Sequence, residues 1–184
     1  MDELELWTAS LRGDERAFAQ LFDGHQGRVV NHAIHLVGNR HDAEDVAAAA
    51  FLELWRLRRK VRIVNGSVLP WLLVTTTNIS RNQSRAIRRY DRLLRSLPRA
   101  REESADVADL VEDPRAIASV RALKVALGAM TPKDAALLAL TALDGMSTAD
   151  AARAVGISPS TARVRLHRAK TKARQTLHMT EVIP

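Results

Sequence analysis

Apolar residues recur along this chain at intervals of three and four, and no window sustains the strict alternation of a half-buried strand. Leu4 to Leu11 reads as a short amphipathic helix. Asp14 can cap a second helix running towards Leu36, whose stripe of Phe18, Leu21 and Phe22 is continued by Val29, Val30, Ala33, Ile34 and Val37. Gly38 and Asn39 end it. A third helix is predicted from about His41 to Lys60, with Asp42, Glu44 and Asp45 in the first turn, where the helix dipole favours anions. Its middle is apolar through Val46, Ala50, Phe51, Leu54 and Trp55, and Arg56, Arg58, Arg59, Lys60 and Arg62 form a basic end. The stretch from Val61 to Leu69 contains Asn65, Gly66 and Ser67 and reads as a loop. Pro70 then opens a fourth helix, Trp71 to about Tyr90, whose last turns carry Arg81, Arg85, Arg88 and Arg89.

Between Arg101 and Arg115 the chain changes sign: Glu102, Glu103, Asp106, Asp109, Glu112 and Asp113 follow with no cation among them, bracketed by Pro98 and Pro114. That composition predicts an extended, flexible linker between two parts. Two further helices are expected at Ile117 to Met130 and Pro132 to Asp144. The pattern as a whole is all-α: two small helical domains, residues 1–92 and 115–184, joined by an acidic flexible linker at 93–114.

The last thirty residues carry the sharpest local signal. Gly156 supplies a tight turn, Ser158 an N-cap, and Pro159 a harmless first-turn proline. Ala162, Leu166 and Ala169 recur at helical spacing, which leaves Arg163, Val164, His167 and Arg168 on the outer face. No acid occurs between Asp150 and Glu181, whereas Arg163, Arg165, Arg168, Lys170, Lys172 and Arg174 all do. A helix-turn-helix with an acid-free basic face suits DNA phosphates. The plainer alternative is a helical hairpin with a solvated cationic face.

Charge agrees with a polyanionic partner: the 184 residues carry a formal net charge of +7, although charge alone does not separate nucleic acid from an acidic membrane surface. There is no cysteine, which excludes disulfides, thiolate zinc sites and a cysteine nucleophile. The N-terminus is acidic and lacks a basic-then-apolar leader, and no apolar run approaches the roughly 18 residues needed to span a bilayer. A cytoplasmic protein with no membrane association is therefore expected. The six histidines show no metal-ligand spacing. No Gly-rich phosphate loop or nucleophile elbow appears, so no metal, no cofactor and no catalytic residue are expected. Trp7, Trp55 and Trp71 read as core.

Two basic helical modules joined by an acidic linker resemble the sigma-70 family, specifically its extracytoplasmic-function (group IV) branch. Three stretches carry the resemblance. Asp42 to Trp55 (DAEDVAAAAFLELW) is similar to the family's core-polymerase-binding helix, D-A-E-D-[LV]-x-Q-E-x-F-L-x-x-W. Pro70 to Asn82 (PWLLVTTTNISRN) is similar to the helix that reads and melts the −10 element, W-L-x-x-I-A-x-N-x-x-x-D. Thr161 to Ala169 (TARVRLHRA) is similar to the −35-reading T-V-x-x-R-L-x-R-A. The chain departs from the pattern at Ala48 and Ala49 (a Gln-Glu pair in the family), at Asn82 (an aspartate), at Ser160 (a glycine) and at Ala162 (a valine).

The resemblance implies a sigma2-like bundle, a sigma4-like helix-turn-helix domain, and a transcription initiation factor. Such a factor binds core RNA polymerase, directs it to −35 and −10 promoter elements, and assists strand opening by capturing a flipped −10 base. It implies polymerase contact by Asp42, Glu44 and Asp45 with Phe51, Leu54 and Trp55. Asn78 with the loop at 63–69 would take a flipped base, and Arg81, Asn82, Arg85, Arg88 and Arg89 would hold the adjoining strand. Ser160, Thr161, Arg163, Val164, Arg165, His167 and Arg168 would contact the −35 element, arginine suiting guanine O6/N7 and Val164 a thymine methyl. Core RNA polymerase and promoter DNA are the implied partners, and an anti-sigma factor is a further family expectation. The alternative is a stand-alone helix-turn-helix regulator, against which the Asp42–Trp55 and Trp71–Asn82 stretches speak. A third reading, a polymerase-binding protein that no longer opens promoters, is motivated by Ala48, Ala49 and Asn82.

Overall fold

A short N-terminal helix, α1 (Glu3–Leu11), starts at Asp2, whose carboxylate accepts from the Glu5 amide at 2.8 Å while the Glu5 carboxylate accepts from the Asp2 amide at 2.9 Å. The computed structural model describes residues 2–95 and 114–181. Asp14 caps α2 (Glu15–Val37), as its position predicts, by accepting from the Arg16 and Ala17 amides. Gly38, at φ 86°, closes that helix in the left-handed conformation that glycine adopts without a Cβ penalty. Asn39 then caps α3 (Arg40–Leu57) through the Asp42 amide, and the basic end, Arg58–Lys60, tightens into a single 3₁₀ turn.

The loop that follows is a miniature hairpin. Val64 and Ser67 exchange backbone hydrogen bonds of 3.2 and 3.1 Å around Asn65 and Gly66, both at positive φ. Glu3 fixes it from below: one carboxylate oxygen accepts from Ser67 Oγ at 2.9 Å and from the Val68 amide at 2.7 Å, and stands 2.9 Å from His25 Nε2. Helix α4 (Leu69–Arg95) leaves this loop and runs past the predicted end near Tyr90, beyond the expected domain boundary at 92. Nothing in Asp91 to Arg95 breaks a helix, so the propensity of Leu and Arg carries it on. The acidic stretch between Arg101 and Arg115 lies outside the described residues, apart from Pro114 and Arg115.

The second half comprises α5 (Pro114–Gly128), α6 (Pro132–Ala142), α7 (Thr148–Val155) and α8 (Pro159–Glu181). Thr131 and Ser147 cap α6 and α7, and Gly156, at φ 75°, makes the turn into α8. The described residues form eight α-helices and no strand beyond the isolated Val64–Ser67 bridge, so the chain is all-α.

Leu21, Val29, Val46, Leu54, Leu72 and Leu73 fill the interior of the first half, and Leu137, Leu140, Ala151, Ala162 and Leu166 that of the second. These buried residues join in one continuous apolar cluster, because α4 packs against α5, α6 and α7 as well as against α2 and α3. Trp7 is buried as expected, while Trp55 and Trp71 are half-buried. Among the described residues no helix is long and apolar enough to cross a membrane.

Candidate nucleic-acid interface

On α8 the apolar stripe points inward as its spacing predicts: Ala162, Leu166 and Ala169 are all buried. Ser160, Thr161, Arg163, Val164, His167 and Arg168 are exposed on the opposite side, Val164 by 53%. The Ser158 hydroxyl lies 3.0 Å from that of Ser160, donates to Thr161 Oγ1 at 2.8 Å, and accepts from the Thr161 amide at 3.2 Å. A pool of exposed hydroxyls therefore surrounds the N-terminus of α8, at the positive end of its dipole, which suits a phosphate.

Arg165 departs from this face. Its Nε donates to Asp134 Oδ1 at 2.7 Å and its Nη2 to Thr131 Oγ1 at 3.1 Å, so it clamps α8 to the start of α6 instead of standing with the outer cations. Burial opposes ionisation of Asp134. Hydrogen bonds from Arg165 and Thr131 and the charges of Arg165 and Lys172 outweigh it, so the carboxyl lies below its ordinary value. A depressed carboxyl contributes stability that is complete above its unfolded value and is lost as pH falls through the lower folded one. Arg165→Ala should therefore cost about 1–2 kcal/mol at neutral pH, a gap that narrows progressively below about pH 4. Urea unfolding of both proteins at the two pH values checks this, and an undiminished gap in acid would argue against the ion pair.

On α4 the expected residues separate into two sets. Asn82, Arg85 and Arg89 are exposed, and with Arg88 and Arg92 they line one side of a cleft of about 520 Å³ closed on the other by Val125, Gly128 and Ala129 of the second half. Arg81 is only 7% exposed. Its Nε donates to the carbonyls of Leu127 at 3.3 Å and Met130 at 3.1 Å, and Nη2 also donates to Met130. Burial, with the repulsion of Arg85 and then Arg88, lowers its pKa from the usual guanidinium value. Asn78 is half-buried, and its side-chain oxygen is out of contact with solvent and has no hydrogen-bond partner. An amide oxygen withdrawn from water without a donor is costly to bury.

The expected polymerase contacts on α3 also divide. Asp42, Glu44 and Asp45 are exposed; Asp42 is held by Asn39 (2.9 Å) and Glu44 by Arg40 (2.7 Å), while Asp45 stands 4.0 Å from His41. Phe51 and Leu54, by contrast, are 3% and 0% exposed and belong to the core. Trp55 is half-buried between the Phe18 ring, centroids 4.9 Å apart, and the Arg58 guanidinium 4.2 Å above it.

The apolar residue left on the surface is Leu52, at 67% exposure, beside Phe22 at 36%. With Phe18, Ala48, Trp55 and, at its floor, the buried Phe51 they line an uncovered groove of about 460 Å³ between α2 and α3. Neither Leu52 nor Phe22 was expected at the contact. The signal for Leu52 was present, because an apolar residue at 52 is out of phase with the buried positions 46, 47, 50, 51 and 54. Ala48 and Ala49, which replace polar residues of the family pattern, differ in place: Ala48 is exposed in the groove and Ala49 is half-buried.

The two halves meet through side chains as well. His32 Nδ1 and Asp144 Oδ2 are 2.8 Å apart, both side chains nearly inaccessible, though the pair is not aligned as a hydrogen bond. His32 Nε2 lies 2.9 Å from Thr77 Oγ1. Asn65 at the tip of the hairpin donates to Asp150 at 2.9 Å and accepts from Arg153 at 3.1 Å. Lys124 has its pKa lowered by burial, an effect that Asp42 opposes and Arg88 reinforces. Among the described residues no cluster of three or more His, Cys, Asp or Glu could hold a metal ion.

Residues 21–92 match the family described as Sigma-70 region 2, and residues 121–172 match Sigma-70, region 4. The chain is 31% identical over 166 residues to the RNA polymerase sigma factor CarQ of Myxococcus xanthus, covering 90% of this chain and 91% of that protein. It is 29% identical over 173 residues to the ECF RNA polymerase sigma factor SigE of Mycolicibacterium smegmatis, covering 90% of this chain and 64% of that one. Among solved structures, CnrH in complex with the cytosolic domain of CnrY shares the fold, with a TM-score of 0.59 at 23% identity over 96% of this chain and 97% of that one. Two sigma-70 regions in order, with a relative alike over nearly its whole length, place this chain in the sigma-70 family, among the extracytoplasmic-function RNA polymerase sigma factors.

Proposed function

We propose that the chain is a transcription initiation factor that binds core RNA polymerase through the α2–α3 groove and directs it to two-part promoters. The exposed face of α8 reads the −35 element. The arginines of α4 hold the strand at the −10 element, where Asn78 and the hairpin loop at 63–69 take a flipped base. Chemistry stays with the polymerase. The observation that carries this reading is the pairing, in one chain, of an exposed acid-free reading face on α8 with an uncovered apolar groove on α3. A helix-turn-helix regulator acting alone needs the first feature and has no use for the second. Because CnrH is held by part of a second protein, CnrY, an anti-sigma partner belongs to the same proposal.

Run-off transcription with purified core polymerase and fragmented genomic DNA tests it. New transcripts starting a fixed distance downstream of a shared two-part motif are expected. Tight duplex binding by the chain alone, without new transcripts, would favour the regulator. At the −35 element, Arg163→Ala should lower the polymerase-bound affinity for cognate promoter by about 1–3 kcal/mol, with a much smaller loss on scrambled duplex. Equal losses on both would reduce Arg163 to a phosphate contact.

A further inference from the structure

We infer that Glu3 is a positioning residue for base capture: from α1 its carboxylate fixes the loop at 63–69 to the start of α4, so that discrimination at the −10 element depends on a side chain lying beneath the loop. This deepens the proposed function, and it rests on the reading of that loop as part of the base pocket.

Helix α4 begins without a side-chain cap of its own. Val68 supplies the first intrahelical carbonyl, which accepts from the Leu72 amide at 3.1 Å, and so stands at the N-cap position. A valine side chain holds no acceptor, whereas the first amides of a helix have no intrahelical partner. Two groups outside the helix complete it. Ser67 Oγ accepts from the Leu69 amide at 3.1 Å, and Glu3 Oε1 accepts from the Val68 amide at 2.7 Å. The same Glu3 oxygen accepts from Ser67 Oγ at 2.9 Å, which holds that hydroxyl in its capping orientation. A carboxylate there also lies at the positive end of the α4 dipole, where negative charge is favoured.

Glu3 is itself well fixed. The reciprocal bonds of Asp2 and Glu5 set the first turn of α1, and buried Leu6 and Trp7 hold that helix against the core. His25 Nε2, on α2, stands 2.9 Å from the same carboxylate oxygen. The Glu3 and His25 side chains are 28% and 14% exposed, and hydrogen bonds to a charged group shielded from water are among the strong ones. The two backbone bonds between Val64 and Ser67 close the hairpin on itself and leave its junction with α4 to other groups. With Ser67, Glu3 is the polar group at that junction, and Asn78 lies about two and a half turns further along the same helix.

The test uses holoenzyme reconstituted with core RNA polymerase and a promoter recovered by run-off transcription, with each −10 base replaced in turn and, as control, each −35 base. Glu3→Ala removes the carboxylate. Glu3→Asp keeps the charge but withdraws it by one methylene, and Glu3→Gln keeps an acceptor oxygen at the original reach. The ratio of transcription from the intact promoter to that from −10-substituted promoters should fall roughly fivefold or more in Glu3→Ala and Glu3→Asp, the scale of one mismatched base. It should stay close to the parent's in Glu3→Gln, and the −35 ratios should not move in any variant. A residue that only supports the fold would lower all transcription together and leave both ratios alone. An unchanged −10 ratio in either folded variant, equal falls in the −10 and −35 series, or a Glu3→Gln as impaired as Glu3→Ala would each overturn the inference. Circular dichroism melting identifies a variant that has lost its fold, and Glu3→Asp, the smaller change, then decides. A parent that gives no promoter-directed transcripts, or none that depend on the −10 base, removes the base-capture reading and this inference with it. A parent that discriminates, matched by its variants, sinks the inference alone.

Discussion

Leu52→Glu should leave the fold intact and abolish productive association with core RNA polymerase. Leu52 is 67% exposed, so its replacement removes little buried area, and exposed helix positions seldom move stability by more than about 0.5 kcal/mol. Its surroundings are Phe18, Phe22, Ala48 and Trp55, an apolar groove with Glu15 as its one charged member. Burying a new carboxylate among such side chains costs several kcal/mol unless a partner cation meets it. Anchors at the centre of an interface commonly lose about 2–4 kcal/mol on truncation, a drop in affinity of roughly 30- to 1,000-fold. Measured affinity for core polymerase should fall in or beyond that range, and promoter-directed transcription with it, while duplex binding through α8 is unchanged. Retained polymerase affinity would remove the α2–α3 groove from the proposal.

Two residues along, Leu54→Ala should have the reverse character. Leu54, on α3, is fully buried in the core, and truncating such a leucine costs about 2–5 kcal/mol, according to how far the cavity collapses. For a chain of ordinary stability, about 5–15 kcal/mol, that is a large share of the total. The expected result is a lower urea midpoint with an unchanged slope, accompanied by loss of transcription that folding-permissive conditions restore. Leu54 and Leu52 thus separate support of the fold from contact with a partner on one helix. A destabilisation below about 1 kcal/mol would mean that Leu54 is not core.

Local rules accounted for much of this fold. Asp14, Gly38, Gly156 and Ser158 do at helix ends what their chemistry predicts, because a cap depends on atoms within three or four residues. Periodicity separated Ala162, Leu166 and Ala169 from Arg163, Val164, His167 and Arg168 for the same reason. Element ends were less legible: α4 runs to Arg95, and α3 stops at Leu57 with a 3₁₀ turn after it. No residue there forces a stop, and neighbouring helices decide where the turns end.

The side chains that escaped sequence reasoning are those whose partners lie far along the chain. Arg81 and Arg165 look like their cationic neighbours in sequence, yet one is spent on the carbonyls of Leu127 and Met130 and the other on Asp134. Phe51 and Leu54 share a motif with Trp55, yet they are buried and Leu52 is left outside. By itself the sequence determined the helical class, the helix-turn-helix, the capped boundaries and the family, since each rests on spacing within one or two turns or on a motif. Only the tertiary structure decided which arginines stay exposed, where the apolar groove opens, and that α5 packs against α4. Those outcomes depend on which remote carbonyl or carboxylate reaches a long, flexible cation first, and a local pattern carries no information about that.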